Sequence, residues 1–450
     1  MIKKANAIFN KYKSGNSVNS FMLAFTQSLI ALVFIFVDFI FSKKLNPTDF
    51  GSWKQMFFII NLLIPILSFG IPEGYKYYIA KEEEKKDKYF SNMLFMILLT
   101  TTIGVAIFVF LNLFDYFNWI SLKDYYLISI LFPIGFLVFN LNKALRYSYI
   151  NTSLVWLNTK ITTLYFIPTF LIIGFISIVL NEYLNYYLWI GIFIFTLIFG
   201  MPLFSLFKFL KLRFSLNEIS WVEIRKMLKI GLPLYLATFI GFMIINIDKG
   251  IVSIFENKAT FAVFSIGATE IPIFAMLSAA FSQQTYPSLV RLVNEGKQEE
   301  AKALWIKTTI NVSYITYPMI FLLMVFAKPI LFFIYTNEYQ DSIIIFQIYL
   351  LTGLFRNNYY GALITASGRT KLITYYSLLT LLFNLIFSAV LYYFVGLIGI
   401  VYGTLFSTAI IALLQLKNEG LLSLYFSKFV FNKIIIFMIL IIIISFVFPW

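Results

Sequence analysis

Cysteine and histidine are both absent from the 450 residues of this chain. No disulfide, thiolate nucleophile or Cys/His metal site can form. Histidine-dependent acid–base chemistry is excluded as well. Charge is scarce: 12% of residues are charged, against about 25% in an ordinary soluble domain. No stretch of the form G-x-x-x-x-G-K-[ST] occurs, so no built-in ATPase is read. Any work the chain performs must draw on an ion gradient, a membrane potential or the gradient of what it handles.

Apolar surface is what the chain has in excess. It is 60% hydrophobic, with a mean hydropathy of +0.85. Runs of about 20 apolar residues, each long enough to cross a bilayer, recur from end to end. The fold class read from this pattern is an all-α polytopic membrane protein. Thirteen spans are expected, over 20–41, 52–73, 89–112, 122–143, 153–180, 184–207, 230–255, 260–286, 304–327, 341–366, 371–394, 396–416 and 431–449. The first stretch, "MIKKANAIFNKYKSGNSVNS", is polar and basic, and the apolar run after it is of full spanning length. It reads as a cytoplasmic N-terminus and not as a cleavable signal.

The net charge of +14 is explained by its placement. The N-terminus and every second loop hold roughly 25 of the Lys and Arg residues, and the opposite side about seven. That asymmetry sets the N-terminus in the cytoplasm and gives an inner surface suited to anionic lipid, not to nucleic acid. Thirteen spans would put the end, "IIIISFVFPW", outside. The outward loops are short. Inward segments 75–89 and 289–305 read as charged, helical and solvated. Segment 208–229 mixes basic and apolar residues and reads as an amphipathic helix on the inner leaflet. The expected layout is a six-helix bundle over 1–207, that linker, a second six-helix bundle over 230–416 and an extra helix over 417–450.

Residues 38–53, "DFIFSKKLNPTDFGSW", match 248–264, "DKGIVSIFENKATFAVF", with one gap. Asp38 meets Asp248, Asn46 meets Asn257, Phe50 meets Phe261 and Trp53 meets Phe264. The offset is about 210 residues, or six helices, so both copies point the same way. Parallel halves of this kind are used by alternating-access transporters with a central site.

The stretches "LNPTDFGSWKQ" and "SFGIPEGYKYYIAK" resemble the start of polysaccharide (O-antigen, Wzx-type) flippases. "GLPLYLATFIGFMIINIDKGIVSIF" and "FAVFSIGATEIPIFAMLSAAFSQQTYPSL" resemble their second half. The superfamily also holds lipid II flippases and multidrug (MATE) exporters. The resemblance implies two pseudo-symmetric six-helix bundles around a central cavity. It implies inward-open and outward-open states in a bacterial inner membrane. The implied substrate is an oligosaccharide linked to undecaprenyl pyrophosphate, and the implied partners are membrane lipids and polysaccharide-assembly proteins. No cofactor is expected. Members commonly have twelve or fourteen spans, and thirteen departs from that pattern.

Such a substrate demands cationic donors for its pyrophosphate, and amides, hydroxyls and aromatic faces for its sugars. Arg356 sits near the middle of an expected span. Tyr349, Thr352, Gly353 and Tyr360 share its face at helical spacing, with Asn357 beside it. An intramembrane arginine reads as a phosphate or sugar ligand, or as half of an ion pair. Lys160, in the inner third of its span, could meet the pyrophosphate or snorkel to the interface. The same holds for Lys307, closer to the inner end. Glu270, two residues before Pro272, reads as a cation or proton site or as the salt-bridge partner of Arg356 or Lys160. Asp38 and Asp248 end outward-going helices and read as interfacial charges or as gating and ion-coupling groups. "GIPEG" (70–74) reads as a helix stop, and Asn384 and Ser388 as interhelical hydrogen-bond formers.

Three functions compete at this level. A lipid-linked oligosaccharide flippase would use Arg356 and Lys160 on pyrophosphate. A cation-coupled drug exporter would want an acidic cavity, whereas Arg356 and Lys160 stand against Glu270. A membrane polysaccharide polymerase or ligase would want a large outer loop, and the outer loops are short.

Overall fold

The computed structural model describes residues 35–113, 212–271, 274, 285–356 and 358–447. Three expected spans, 122–143, 153–180 and 184–207, lie outside the described residues, as do Lys160 and Asn357. The elements are α1 (35–44), α2 (Pro47–Ser68), α3 (Ile71–Lys81), α4 (Lys86–Leu113), α5 (Trp221–Phe255), α6 (Lys258–Gly267) and α7 (285–294). There follow α8 (Gln298–Val325), α9 (Ala327–Ile334), α10 (Ser342–Arg356), α11 (Ala362–Ala366), α12 (Thr370–Val395), α13 (Leu397–Asn418) and α14 (Lys433–Val447). No strand occurs among the described residues. Three helices among them, α8, α12 and α13, pass a strict test of length and hydropathy for crossing a membrane.

The chain divides into two compact units. One holds residues 1–46 and 55–239, the other 47–54 and 240–450. The division falls inside α5, and the first turns of α2 belong with the second unit.

In the first unit, α3 and α4 bury a stripe at helical spacing. Ile71, Tyr75 and Ile79 face Tyr89, Phe90, Met93 and Ile97, with Ile224 and Met227 of α5 completing the cluster. The helix stop expected at "GIPEG" is present. Phe69 (φ 47°) and Gly70 (φ 74°) leave the helical region, and α3 starts afresh at Ile71. Glycine has a second use there. A Cβ on Gly70 would strike the carbonyl of Gly231, and one on Gly74 the carbonyl of Met227. The backbones touch because Gly70 and Gly231, and Gly74 opposite Met227, present no side chain at the contact.

Of the segment expected as an amphipathic helix over 208–229, residues 208–211 lie outside the described residues, 221–229 are helical and 212–220 are not α-helical. Residues 212–215 lack regular structure, 216–218 form one 3-10 turn, and α5 begins at Trp221. Side chains of α4 hold it. Asn92, fully buried, donates to the Glu218 carbonyl (2.9 Å) and accepts from the Ser220 N–H (2.8 Å). Asp87 accepts from the Arg213 N–H, and the Ser91 hydroxyl from the Ser215 N–H, each at 3.1 Å. Lys88 pairs with Glu223 at 3.0 Å. Backbone hydrogen bonds that a helix would satisfy internally are satisfied here by α4, which removes the reason to be helical.

In the second unit, Phe50 is fully buried against Tyr339 and Tyr335, with ring centroids 5.5 and 6.3 Å away. A Cβ on Gly51 would meet the Lys258 carbonyl. The repeat seen in the sequence has a local counterpart. Each copy ends one helix, breaks and opens another, and Phe50, Trp53, Phe261 and Phe264 are all buried. Asn257 caps α6 by accepting from the Thr260 N–H at 2.9 Å. Helices α12 and α13 approach closely along Gly399 and Gly403, a G-x-x-x-G spacing. A Cβ on Gly403 would lie 2.5 Å from the Ser388 nitrogen and hydroxyl.

Two expected spans are broken. The span over 260–286 leaves the helix after Gly267, and Ala268 to Ile271 are non-helical. Pro272 follows, and the residue before a proline is driven out of the α region. The span over 341–366 stops at Arg356, turns through 358–361 and resumes as α11. The run Asn-Asn-Tyr-Tyr-Gly supplies only weak helix formers at that turn.

Candidate functional site

The two breaks occur at one place in the second unit. Helix α10 packs on α6, and the ends of both border a cavity of about 310 Å³. Tyr349, Thr352, Gly353 and Arg356 line it from α10, at the i, i+3, i+4, i+7 spacing of one helix face. Thr269, Glu270 and Ile271 line it from the non-helical stretch after α6, with Phe274 beyond. Ile245 of α5 and Phe346 add apolar wall.

Arg356 donates through Nη1 to Glu270 Oε1 at 2.9 Å. Both groups belong to the second unit, so the pair ties two elements of one unit. Arg356 ends α10, where the helix dipole favours a cation. Its side chain is 23% exposed and that of Glu270 46%. The second terminal nitrogen of Arg356, Nη2, is buried and has no hydrogen-bond partner. Tyr349, 8% exposed, has its hydroxyl buried and equally unpartnered, while its ring meets Phe264 edge-on. Unsatisfied buried donors are rare in folded proteins and mark a place where another group can bind.

Tyr360 does not share the face that helical spacing assigns it. The break after Arg356 takes it off the α10 face. It is buried beside Trp305 and Tyr425, its hydroxyl 3.3 Å from that of Tyr425, and does not line the cavity. Lys307 is exposed on α8 and does not line the cavity either. Asp38 is half-buried on α1, in the first unit.

Asp248 was read from sequence as an interfacial charge or a coupling group, and it is fully buried. One carboxylate oxygen accepts from the Lys249 backbone N–H at 2.8 Å, and the other from the Thr404 hydroxyl at 3.5 Å. Around Thr404 the Asn384 amide donates to its hydroxyl (3.2 Å), and Ser388 donates to Asn384 Oδ1 (2.8 Å). The Ile400 carbonyl lies 3.2 Å from the Ser388 hydroxyl. All four side chains are at most 1% exposed. Asn384 and Ser388 do form the expected interhelical hydrogen bonds. They also gather, with Thr404, around a carboxylate from a third helix. Thr404 gave no signal in the sequence, since one threonine in an apolar helix is unremarked without its partners.

A buried carboxylate is costly unless a cation or a proton offsets its charge. Asp248, Ser388, Thr404 and the Ile400 carbonyl present oxygens, the atoms suited to a hard cation, and Asn384 turns its amide nitrogen to Thr404 and its oxygen to Ser388. One carboxylate among neutral oxygens fits a single positive charge. No group of three or more acidic side chains placed to hold a metal ion occurs among the described residues.

Comparison with known proteins bears on the whole chain. A family model described as a polysaccharide biosynthesis protein matches residues 40–344. No curated protein matches the sequence. Among solved structures, the lipid II flippase MurJ in an inward closed conformation superposes with a TM-score of 0.67 at 14% identity, covering 96% of this chain and 97% of that one. An inward-facing multidrug resistance MATE family transporter of the MOP superfamily gives 0.61 at 14% identity, over 86% and 94% of the two chains. A MOP superfamily transporter from Pyrococcus furiosus, described as having a binding pocket of reverse polarity, gives 0.57 at 14% identity, over 90% and 95%. The fold of this multi-pass membrane protein is thus of the MurJ and MATE kind.

Proposed function

The chain belongs to the polysaccharide biosynthesis protein family, and from that premise we propose that it is a flippase for a lipid-linked oligosaccharide. It takes an undecaprenyl-pyrophosphate-linked head group on the cytoplasmic face of the inner membrane and releases it on the outer face by alternating access. The observation that carries this reading is the cavity where two interrupted spans present Arg356, Glu270 and Tyr349 in an otherwise apolar bundle. A glycan head group cannot cross hydrocarbon without exchanging its hydration for such polar groups. Interrupted helices are the usual means of exposing them within a membrane.

Arg356 contacts the head group, and Lys160 and Lys307, expected towards the inner ends of their spans, meet it on entry. No bond is made or broken, so the role is transport and not catalysis. Asp248, with Asn384, Ser388, Thr404 and the Ile400 carbonyl, would hold a monovalent cation or a proton, which would neutralise the buried carboxylate. Because Asp248 bridges α5 to the α12–α13 pair, its occupancy biases how those helices pack, and a gradient of that ion can drive the cycle.

The test is genetic. A deletion strain should accumulate lipid-linked oligosaccharide on the cytoplasmic face, and the wild-type gene should clear it. Arg356→Ala, produced at normal level, should not. Outer-face oligosaccharide at wild-type level in the deletion strain would reject the proposal. A second reading, cation-coupled drug export, is favoured by the exposed carboxylate of Glu270 in the cavity. It predicts drug resistance that falls in Glu270→Gln while glycan export is unchanged.

A further inference from the structure

Among the described residues, the charges on the cavity wall balance. Arg356 and Glu270 cancel at 2.9 Å. Asp248 and Lys249, of opposite charge, are adjacent on α5. Lys54 lies over the Phe50 ring at 5.5 Å. Residues 272, 273, 275–284 and 357 carry no ionisable side chain. A pyrophosphate diester, ionised on both phosphoryl groups, would gain at the guanidinium and lose at the carboxylate beside it. A diphosphate held by side chains alone, with no bridging metal ion, favours cations unopposed by a carboxylate.

A sugar ring asks for the opposite arrangement. Its hydroxyls donate to a carboxylate and accept from a guanidinium or a phenol, so a neutral Arg–Glu pair serves both. Two residues of the cavity wall carry a buried donor with no partner, Arg356 Nη2 and the Tyr349 hydroxyl. Tyr349, Phe274 and Phe346 supply aromatic faces for the C–H face of a pyranose. At about 310 Å³ the cavity sits at the small end of ligand pockets, about 300–1,000 Å³. That is room for a ring or two and not for a whole repeat unit.

We infer that the Arg356–Glu270–Tyr349 cavity is a subsite for an uncharged sugar ring of the head group, and that the pyrophosphate is held elsewhere. This rests on the flippase reading and assigns Arg356 to the glycan.

The full-length protein in lipid nanodiscs is titrated with two probes. One is undecaprenyl pyrophosphate bearing no sugar. The other is the oligosaccharide released by mild acid from the lipid-linked pool of the producing cells. Tyr349→Phe, which keeps the ring and its packing, should weaken the oligosaccharide roughly 3- to 10-fold, and Arg356→Gln about 30-fold. Neither should change the sugar-free lipid by more than about twofold. Equal weakening of the sugar-free lipid would overturn the subsite and leave the flippase reading standing. So would wild-type protein that binds the lipid and not the oligosaccharide. Wild-type protein that binds neither probe would overturn both.

Discussion

Replacing Glu270 by Gln should leave the protein nearly as stable as before and stop transport. The magnitude follows from exposure. The Arg356–Glu270 pair is short, at 2.9 Å, yet its members are 23% and 46% exposed. Exposed pairs contribute about 0.2–1 kcal/mol in double-mutant cycles. Breaking a fully buried pair costs about 3–5 kcal/mol. With one carboxylate nearly half open to the cavity, the lower figure governs, and a coupling of about 1 kcal/mol is expected. The cycle needs wild type, Glu270→Gln, Arg356→Gln and the double variant, each purified in the same mixed micelles and unfolded by SDS titration. Export of polysaccharide by the same four proteins in a deletion strain gives the functional axis, where each single variant should fall at least about tenfold. A coupling of about 3 kcal/mol or more would refute the reasoning, because the pair would then be a structural tie. Restored export in the double variant would refute it too, since only the balance of charge would matter.

Asp248→Asn should abolish stabilisation by the coupling ion, read as loss of the cation- or pH-dependent rise in melting temperature. For wild type at a hundredfold excess over Kd that rise corresponds to about 2.7 kcal/mol, and an unchanged response in the variant would remove Asp248 from the site. Gly403→Ala should destabilise by about 1–3 kcal/mol by forcing α12 and α13 apart at Ser388. Gly241→Ala, where an added Cβ meets nothing within 4 Å, should instead stabilise by up to about 1 kcal/mol; the pair is checked by thermal unfolding in detergent. The Glu82 carboxyl is held below its usual 4.5, first by the hydrogen bond from Lys85 and next by that from Tyr89. A depressed carboxyl stabilises the fold above its unfolded value and ceases to as pH falls through the folded one. Amide protection at the α3–α4 corner should therefore drop below about pH 4.5, and Glu82→Gln should flatten that dependence in hydrogen exchange.

Periodicity carried part of the site. Tyr349, Thr352, Gly353 and Arg356 fall on one helix face by spacing, and the structure keeps them together at the cavity. Tyr360 was placed with them by extending the same period across a turn that weak helix formers interrupt. Periodicity has no means of seeing such a break. The partner of Arg356 lies 86 residues away, and the sequence offered Glu270 as one of its possible partners without choosing. Asp248 and Thr404 are 156 residues apart. Interhelical contacts of that range depend on how helices rotate about their axes, which hydropathy does not encode. Residues 212–220 of the linker leave the α-helix for a related reason. Its composition suits an amphipathic helix, but Asn92 of α4 hydrogen-bonds to its backbone and competes with helix formation.

The placement of Phe50 and Gly51 bears on how the protein is made. These residues emerge early in synthesis. The groups they pack on, the Lys258 backbone and the rings of Tyr335 and Tyr339, are made only after more than half the chain has been translated. Until then Phe50 lacks the rings it packs on in the folded unit. The second unit cannot be completed by its own contiguous segment. A fragment beginning at residue 230 would lack the ring that fills the space beside Tyr339. Co-expressing 1–229 with 230–450 should rescue the folding of the latter, and a peptide of 47–54 held in a membrane helix should do part of the same work.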